Sequence, residues 1–314
     1  MKRKLKITTI FISISALIIH VINRMTCYLA TIENIFNSSG NNYYDWRHGK
    51  IYYKKQGKGE PILLIHDLNS NSSGYEWKKI AIRLADKSTV YTIDLLGCGR
   101  SDKPNFTYTN YLYVQMINDF IKNVIGKKTN IIVTGDSVPI AIMACNTGEN
   151  TIDKIVTINP ISLKETTKIP CKYSKLFKTL IQTPIIGTLI YNTLHSKKQI
   201  ENVFQNKYYY SPGRVDELIK KAYYEAAHSN HSHSKYLFAS IKGKYTNMNI
   251  IPFISHIKNE ILIISGDNRD YKITEEYLKY VPSIQTAIIK NTNYLPQLES
   301  PVELTNQVKV FFDI

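Results

Sequence analysis

The chain has 314 residues, 43% of them hydrophobic, and a net charge of +15. This hydrophobic content is enough for a folded core and argues against a disordered chain. The basic residues are scattered and no aromatic-basic recognition motif occurs, so we expect a solvated basic surface and no nucleic-acid partner. The four cysteines show no paired spacing and no CxxC, which indicates neither a disulfide framework nor a zinc site.

The N-terminal segment is predicted to anchor the chain in a membrane. Residues 7–22 are apolar and uncharged, and they follow a basic run made of Lys2, Arg3, Lys4 and Lys6. At ~1.5 Å per residue, this stretch falls slightly short of the ~30 Å hydrocarbon core. A cleaved signal peptide is the alternative, but residues 28–30 form a poor cleavage site. Only Arg24 follows closely, so the positive-inside rule predicts a single-pass signal anchor of the cell membrane, with the main domain extracytoplasmic.

Strand and helix patterns alternate from residue 44 to residue 160. Residues 23–43, just before this region, are polar without a clear period and are interpreted as a juxtamembrane linker. The predicted elements are a hairpin over 44–56, strands over 61–66, 89–94, 131–133 and 155–159, and helices over 77–85 and 111–125. This alternation predicts a mostly parallel, doubly wound α/β sheet.

Residues 161–249 interrupt the alternation and are interpreted as an inserted helical cap. Helix patterns with proline and glycine punctuation cover 175–194, with a break at Pro184 and Gly187, and then 198–209, 215–228 and 235–241. The alternation resumes with a strand over 260–266, a helix over 274–280, a strand over 285–290 and a helix over 302–312. Residues 44–160 and 250–314 are therefore predicted to form one core.

The strand over 131–133 leads into a pattern that favours nucleophilic chemistry. Gly135, Asp136 and Ser137 make a tight turn before a stretch of helix-forming composition. A strand, a sharp turn and a helix with serine at the apex form a nucleophile elbow, whose usual motif is G-x-S-x-G. Pro139 stands in the place of the second glycine. Ser137 is the predicted nucleophile, and the alternative is a small turn residue.

From residue 44 to the C-terminus, the order of motifs resembles the lid-bearing members of the α/β-hydrolase fold. The matching segments are 62–66, the D-x-x-G-x-G-x-S segment at 94–101, the elbow at 135–137, the strand at 261–266, and 291–301, which usually reads N-x-G-H-x-P-x-x-E-x-P. The resemblance implies hydrolysis of small ester or acyl substrates. In that mechanism a histidine deprotonates the serine and an acid orients the histidine ring.

The resemblance also implies a departure from that mechanism, because it puts Tyr294 at the position of the family histidine. A phenol with a pKa of ~10 is a poor proton acceptor at neutral pH, whereas an imidazole near ~6.5 is suited to the role. The implied acid is Asp270, with Asp267 as the alternative, since Arg269 occupies the usual aspartate position. The other interpretation is that both aspartates cap turns.

The implied oxyanion hole uses the backbone N–H of Val138 and one from the loop after His66. Asp67 replaces a common glycine of that loop, and an inward-pointing carboxylate would oppose a developing oxyanion. His66 itself is expected to support the loop, with a role as the base as the less favoured alternative.

The alternative base is His228 in the cap, because lids can complete a site on closing. Together with His231 and His233 it suggests a metal by spacing alone, but a polar cap loop is preferred because no acid or cysteine cluster accompanies the three residues. His256 precedes the late strand and is expected to be structural.

Two functions remain open at this point. The first is a membrane-anchored serine hydrolase of ester or acyl substrates with a non-standard or missing general base. The second is a catalytically degenerate hydrolase-fold protein that binds a small ligand or a partner. The elbow and loop motifs favour descent from enzymes, while Tyr294, Pro139 and Asp67 argue against the standard mechanism. Neither function calls for a cofactor or a metal.

Overall fold

The computed structural model describes residues 2–37, 42–148 and 150–314, and its strands form one mixed eight-stranded sheet. In chain order they are β1 (Asn42–Trp46), β2 (Gly49–Gln56), β3 (Glu60–Ile65), β4 (Ser88–Ile93), β5 (Thr129–Thr134), β6 (Ile152–Ile158), β7 (Ile261–Gly266) and β8 (Gln285–Ile289). The sheet order is β1-β2-β4-β3-β5-β6-β7-β8. The β1–β2 and β2–β4 pairs are antiparallel and the others are parallel. The predicted mostly parallel sheet is confirmed.

Helices cover both faces of this sheet. The helices α2 (Lys78–Leu84) and α14 (Pro301–Phe312) pack on one face, with α13 (Pro296–Glu299) leading into the latter. The other face carries α3 (Asn110–Phe120), α4 (Val138–Thr147), α11 (Ile251–Ile254) and α12 (Lys272–Leu278). Along β3, Leu63 and Ile65 face the side of the sheet that α3 and α4 cover, while Ile62 and Leu64 face the side that α2 and α14 cover. The central strands are therefore buried on both sides, as their continuous apolar runs require.

Besides α11, six α-helices lie between β6 and β7: α5 (Leu163–Thr166), α6 (Lys172–Gln182), α7 (Ile186–Leu194), α8 (Lys197–Val203), α9 (Glu217–Ser232) and α10 (Lys235–Lys242). They occupy the segment that the sequence assigns to a cap. The expected break falls between Gln182 and Ile186, where Thr183 before Pro184 is extended. A residue before proline disfavours the helical conformation, which explains this position. Gly187 instead lies inside α7.

The N-terminal helix α1 (Lys2–Thr31) extends further than the sequence suggests. Residues 23–31, expected to belong to an aperiodic linker, continue the helix. Asn23, Cys27 and Ala30 are buried against the cap segment at helical spacing, and the Cys27 thiol lies 3.1 Å from the Ser232 hydroxyl. This packing face consists of one polar residue and two small, weakly apolar ones, so a search for apolar periodicity does not detect it.

The first two-thirds of α1 has no such packing. Its side chains from Lys2 to Ile22 are exposed or half-exposed, and many of them are large and apolar. Within the described residues, α1 is the one helix that is long and apolar enough to cross a membrane. Signal sequences share this property of length and composition.

Candidate functional site

The turn after β5 carries Gly135, rather than Ser137, at its apex. The backbone of Gly135 is left-handed, with φ of 59°, and joins the end of the strand to a short 3-10 turn. Ser137 already has helical angles, φ −81° and ψ −15°. Pro139 sits in the first turn of α4, where a missing N–H is harmless. The expected elbow is therefore present, but its apex lies two residues earlier than the G-x-S spacing predicts.

The Ser137 side chain makes a structural contact. It is fully buried, and its hydroxyl donates a 2.7 Å hydrogen bond to the carbonyl oxygen of His66. This bond ties the end of β5 to the end of β3. Among the described residues no imidazole bonds to the Ser137 hydroxyl, so the expected nucleophile is not presented to a base.

The space in front of Gly135 is filled by two polar side chains. A Cβ atom built on Gly135 would overlap the Asp67 carboxylate and the Tyr294 hydroxyl. Asp67 Oδ1 accepts the backbone N–H of Asp136 at 2.8 Å, and Asp67 Oδ2 accepts the Tyr294 hydroxyl at 3.1 Å. The inward-pointing carboxylate considered from the sequence is thus observed. It accepts the hydrogen bond of the Asp136 N–H, which is the backbone donor next to the apex.

Val138 does not provide the expected oxyanion donor. Its N–H bonds to the carbonyl of Gly135 within the 3-10 turn. The residue that follows the apex is Asp136, and its N–H already binds Asp67. A substrate oxygen would have to displace the Asp67 carboxylate to reach this donor.

Three acidic side chains meet at this place. Burial raises the pKa of Asp67, opposed by its bond from the Asp136 N–H and by the charge of Lys207. Burial, together with the charge of Asp67, raises the pKa of Asp136 to about 7. The same two causes raise the pKa of Glu76 to about 8, and its carboxylate accepts the Tyr223 hydroxyl at 2.9 Å. Because burial and the charge of Asp67 both disfavour the charged forms, Asp136 and Glu76 are partly protonated at neutral pH.

Tyr294 is held as a neutral hydrogen-bond donor. Its ring stacks on Tyr208, with centroids 5.5 Å apart and planes at 15°. The Arg269 guanidinium lies 5.0 Å from the ring centroid, and Lys207 Nζ lies 5.1 Å from it. Burial, reinforced by the charge of Asp67, raises the pKa of Tyr294 well above its ordinary value. The phenol therefore loses its proton even less readily here than in water, so almost no phenolate is available to act as a base at neutral pH.

Neither expected acid reaches Tyr294. The exposed Asp267 carboxylate accepts the backbone N–H groups of Asn291 and Thr292, at 2.9 and 3.1 Å. The exposed Asp270 accepts the N–H of Lys272 at 3.1 Å, at the start of α12. Both aspartates cap backbone turns, which favours the capping interpretation of these residues. Arg269, which stands between them in sequence, is the residue that contacts Tyr294.

The histidines considered as bases are occupied elsewhere. His66 Nδ1 donates to the Asp67 carbonyl at 2.7 Å and Nε2 accepts the Leu95 N–H at 2.9 Å, so both nitrogens are used. His228 is buried in α9 with Nδ1 2.8 Å from the Tyr224 carbonyl, and burial lowers its pKa to about 4. It packs against the rings of Tyr191 and Tyr224, away from Ser137.

The other cap histidines do not form a metal site. His231 lies 2.8 Å from the Arg24 guanidinium, and its ring faces His233. Across residues 2–37, 42–148 and 150–314, no group of three His, Cys, Asp or Glu side chains has an arrangement that could hold a metal ion.

A buried serine–histidine pair, Ser70 and His195, has no signature in the sequence. Ser70, in the loop after β3, has its hydroxyl 3.1 Å from His195 Nε2, and His195 Nδ1 donates to the Tyr191 carbonyl at 3.0 Å. Both side chains are buried, and burial lowers the pKa of His195 to about 4. The imidazole is therefore neutral, and its Nε2 accepts a hydrogen bond from the Ser70 hydroxyl. The partners are far apart in the chain and match no motif, so only the folded structure reveals them.

Comparisons with known proteins identify this architecture. A family model described as the alpha/beta hydrolase fold matches residues 60–170. A serine hydrolase of carbazole degradation superposes with a TM-score of 0.71 and 17% identity, over 87% of this chain and 98% of that one. The chain has the α/β-hydrolase fold. A meta-cleavage product hydrolase from Pseudomonas fluorescens IP01 superposes with a TM-score of 0.69 and 19% identity, over 87% of this chain and 97% of that one. A membrane phospholipase A superposes with a TM-score of 0.69 and 18% identity, over 100% of this chain and 98% of that one. This alignment therefore includes the N-terminal helix.

Curated relatives of this α/β-hydrolase-fold protein match over a short region. A stretch of 72 residues is 36% identical to a 2-hydroxy-6-oxo-6-(2'-aminophenyl)hexa-2,4-dienoic acid hydrolase of Metapseudomonas resinovorans. Another of 60 residues is 35% identical to a haloalkane dehalogenase of Agrobacterium fabrum. The chain spans 24% of the length of the first relative and 19% of the second.

Replacing the apex glycine tests how tightly the site is filled. We expect Gly135→Ala to lower the free energy of unfolding by about 2–4 kcal/mol, because a left-handed alanine and an overpacked core are both unfavourable. The double variant Gly135→Ala/Tyr294→Phe should recover part of this loss, since it removes the overlapping hydroxyl. Unfolding of the full chain in detergent measures both. Gly213→Ala, where a Cβ meets open space, is the neutral control. A Gly135→Ala variant as stable as the wild type would contradict this geometry.

The buried acids predict a pH dependence of stability. Because the pKa of Glu76 is raised to about 8 in the folded state, the folded chain binds more protons than the unfolded chain up to that pH. Stability must therefore fall as the pH rises toward 8. The buried His195 and His228, whose pKa values are lowered, act in the opposite sense only below about 6.5.

Between about pH 6.5 and 8 we expect a loss of about 1–2 kcal/mol, measured as a falling unfolding temperature. Glu76→Gln keeps an acceptor for Tyr223 and should flatten the slope, leaving the part due to Asp136. Glu275→Gln, on the exposed side of α12, should leave the slope unchanged. Identical slopes for the wild type and Glu76→Gln would refute the assignment.

Proposed function

We propose that the chain is a membrane-anchored α/β-hydrolase-fold protein that does not carry out Ser-His-acid hydrolysis. It acts instead through binding, at its surface rather than in the space beneath the cap segment. The observation that supports this most strongly is the Asp67 carboxylate, which accepts both the Asp136 N–H and the Tyr294 hydroxyl in front of Gly135. A substrate carbonyl would need the same donor and the same space.

The rate expected from such a site is low. In a serine protease, losing the nucleophile or the base costs on the order of 10⁶ in rate, which equals about 8 kcal/mol of barrier. At the apex of this chain Gly135 has no side chain, Tyr294 donates rather than accepts a proton, and Arg269 lies beside Tyr294 where the resemblance implies an acid. We infer that these three differences together remove the nucleophile, the base and the acid of the hydrolytic mechanism.

A surface role is favoured because the space beneath the cap segment is filled. Tyr208, Tyr223, Tyr294 and Leu295 belong to one buried apolar cluster in front of the turn. A small ligand would have to displace these side chains. The membrane anchor in this proposal is the exposed apolar part of α1, with the basic N-terminus on the cytoplasmic side.

Hydrolysis through Ser70 is the second candidate function. The relatives that share the fold include hydrolases, and the Ser70–His195 pair has the hydrogen bond of a nucleophile and a base. The Tyr191 carbonyl takes the orienting position at His195 Nδ1. This candidate requires the cap segment to open, because Ser70 is fully buried.

A fluorophosphonate probe separates these functions. We expect the full-length protein in detergent to be labelled no more than Ser137→Ala or Ser70→Ala, because neither serine is both accessible and activated. A heat-denatured sample sets the background, and circular dichroism verifies folding. Labelling lost only in Ser70→Ala and in His195→Ala would establish the second candidate. Labelling lost only in Ser137→Ala would overturn the proposal and restore the elbow serine as the nucleophile.

A further inference from the structure

The cap segment carries a line of exposed apolar side chains. In α6, Tyr173, Leu176 and Leu180 follow one another at helical spacing and are 67%, 69% and 44% exposed. Ile169 precedes them at 81% exposure, and Ile186 follows in α7 at 56%. We call these five residues the α6 face. An apolar line of this kind on a folded domain is typical of an interaction site.

The opposite side of α6 is already packed. Ile181 is fully buried, and the Phe177 ring lies 6.1 Å from that of Phe238 in α10. The helix therefore does not need a further partner to fold. Its α6 face remains available after the cap segment has assembled.

The charge around the α6 face is strongly basic. Residues 161–186 contain five lysines and one glutamate, Glu165. Glu165 pairs with Lys168, while Lys172 and Lys175 are exposed beside the apolar line. Exposed apolar residues flanked by lysines are the pattern of a helix that lies at the interface of an anionic membrane.

The α6 face is also next to the point where α1 leaves the folded body. The Asn23 side-chain amide donates to the Ile185 carbonyl at 3.0 Å, in the connection between α6 and α7. Asn192 in α7 donates to the Asn23 side chain at 3.1 Å. Asn23 directly follows the exposed apolar segment of α1 that ends at Ile22. These bonds therefore hold the α6–α7 connection next to the point where α1 leaves the folded body.

We propose that the α6 face rests on the lipid surface of the membrane that α1 enters, with anionic headgroups against Lys172 and Lys175. This inference rests on the membrane anchor of the proposed function. The lipid surface is favoured over another protein because the apolar line is basic at its edges and continuous with the anchor. Two contacts, α1 and the α6 face, would then fix the orientation of the body on the bilayer.

The exposed Cys171 thiol at the start of α6 provides a native labelling site. Cys27 and Cys98 are buried, and Cys145→Ala removes the remaining partly accessible thiol. The full-length protein is labelled at Cys171 with a polarity-sensitive fluorophore and reconstituted in vesicles of phosphatidylcholine, with or without phosphatidylglycerol. Doxyl groups on the lipid chains then quench the fluorophore if it lies at the membrane.

We expect quenching in the anionic vesicles that falls at least twofold in phosphatidylcholine alone. The double variant Leu176→Asp/Leu180→Asp should abolish quenching in both kinds of vesicle. The double variant Lys172→Glu/Lys175→Glu should abolish the dependence of quenching on anionic lipid. Val310→Asp, which changes an equally exposed apolar residue on α14, is the matched control and should leave quenching unchanged.

The outcomes separate this inference from the anchor. Carbonate-resistant insertion without quenching would overturn the lipid contact and leave the anchor standing. Energy transfer between labels that grows with the protein-to-lipid ratio, without quenching, would overturn it in favour of a second copy of the chain. A protein that fails to insert at all would contradict the anchor and, with it, this contact.

Discussion

The structure of the candidate site depends on one carboxylate with two donors. Asp67, at the end of β3, accepts the N–H of Asp136 after β5 and the hydroxyl of Tyr294 after β8. The ends of three strands are joined through this single group. The arrangement leaves no room for a side chain at the apex, which explains why glycine stands there in a left-handed conformation.

The surrounding residues fit this bridge rather than a hydrolytic triad. A neutral phenol is a suitable donor to a carboxylate, and the stacked Tyr208 ring and the Arg269 guanidinium hold Tyr294 in place. Burying Asp67 close to Asp136 and Glu76 is unfavourable when all three are charged. Burial raises the pKa of each, and the charge of Asp67 adds to this for Asp136 and Glu76. Protonation of some of these groups therefore stabilises the cluster.

Much of the fold was predictable from the sequence, because alternating strand and helix patterns directly reflect a parallel sheet covered on both faces. The elbow was also predictable as a turn, but its apex was not. A glycine two residues before a serine suggests a serine apex, yet the left-handed residue is Gly135, and sequence spacing carries no information on φ. The helical continuation over residues 23–31 was hidden because Asn23 and Cys27, polar or weakly apolar residues, form its packing face.

The acid and base could not be assigned from the sequence for a related reason. Asp267 and Asp270 are placed correctly after a strand, but the direction of each side chain depends on which backbone N–H groups lie near it. The Ser70–His195 pair joins a loop after β3 to the end of α7, and a contact between such distant segments has no local signature. Tyr294 and Asp67 were recognised as departures, whereas their mutual hydrogen bond required the folded chain.

Amide hydrogen exchange at Asp136, resolved to the single residue in the full-length protein in nanodiscs, tests the Asp67 bridge most directly. If the carboxylate holds this N–H, the amide exchanges as slowly as the strand amides of β5 in the wild type and much faster in Asp67→Ala. Fast exchange in the wild type, or protection that Asp67→Ala leaves unchanged, would mean that the donor is free and that the site is not closed by its own carboxylate.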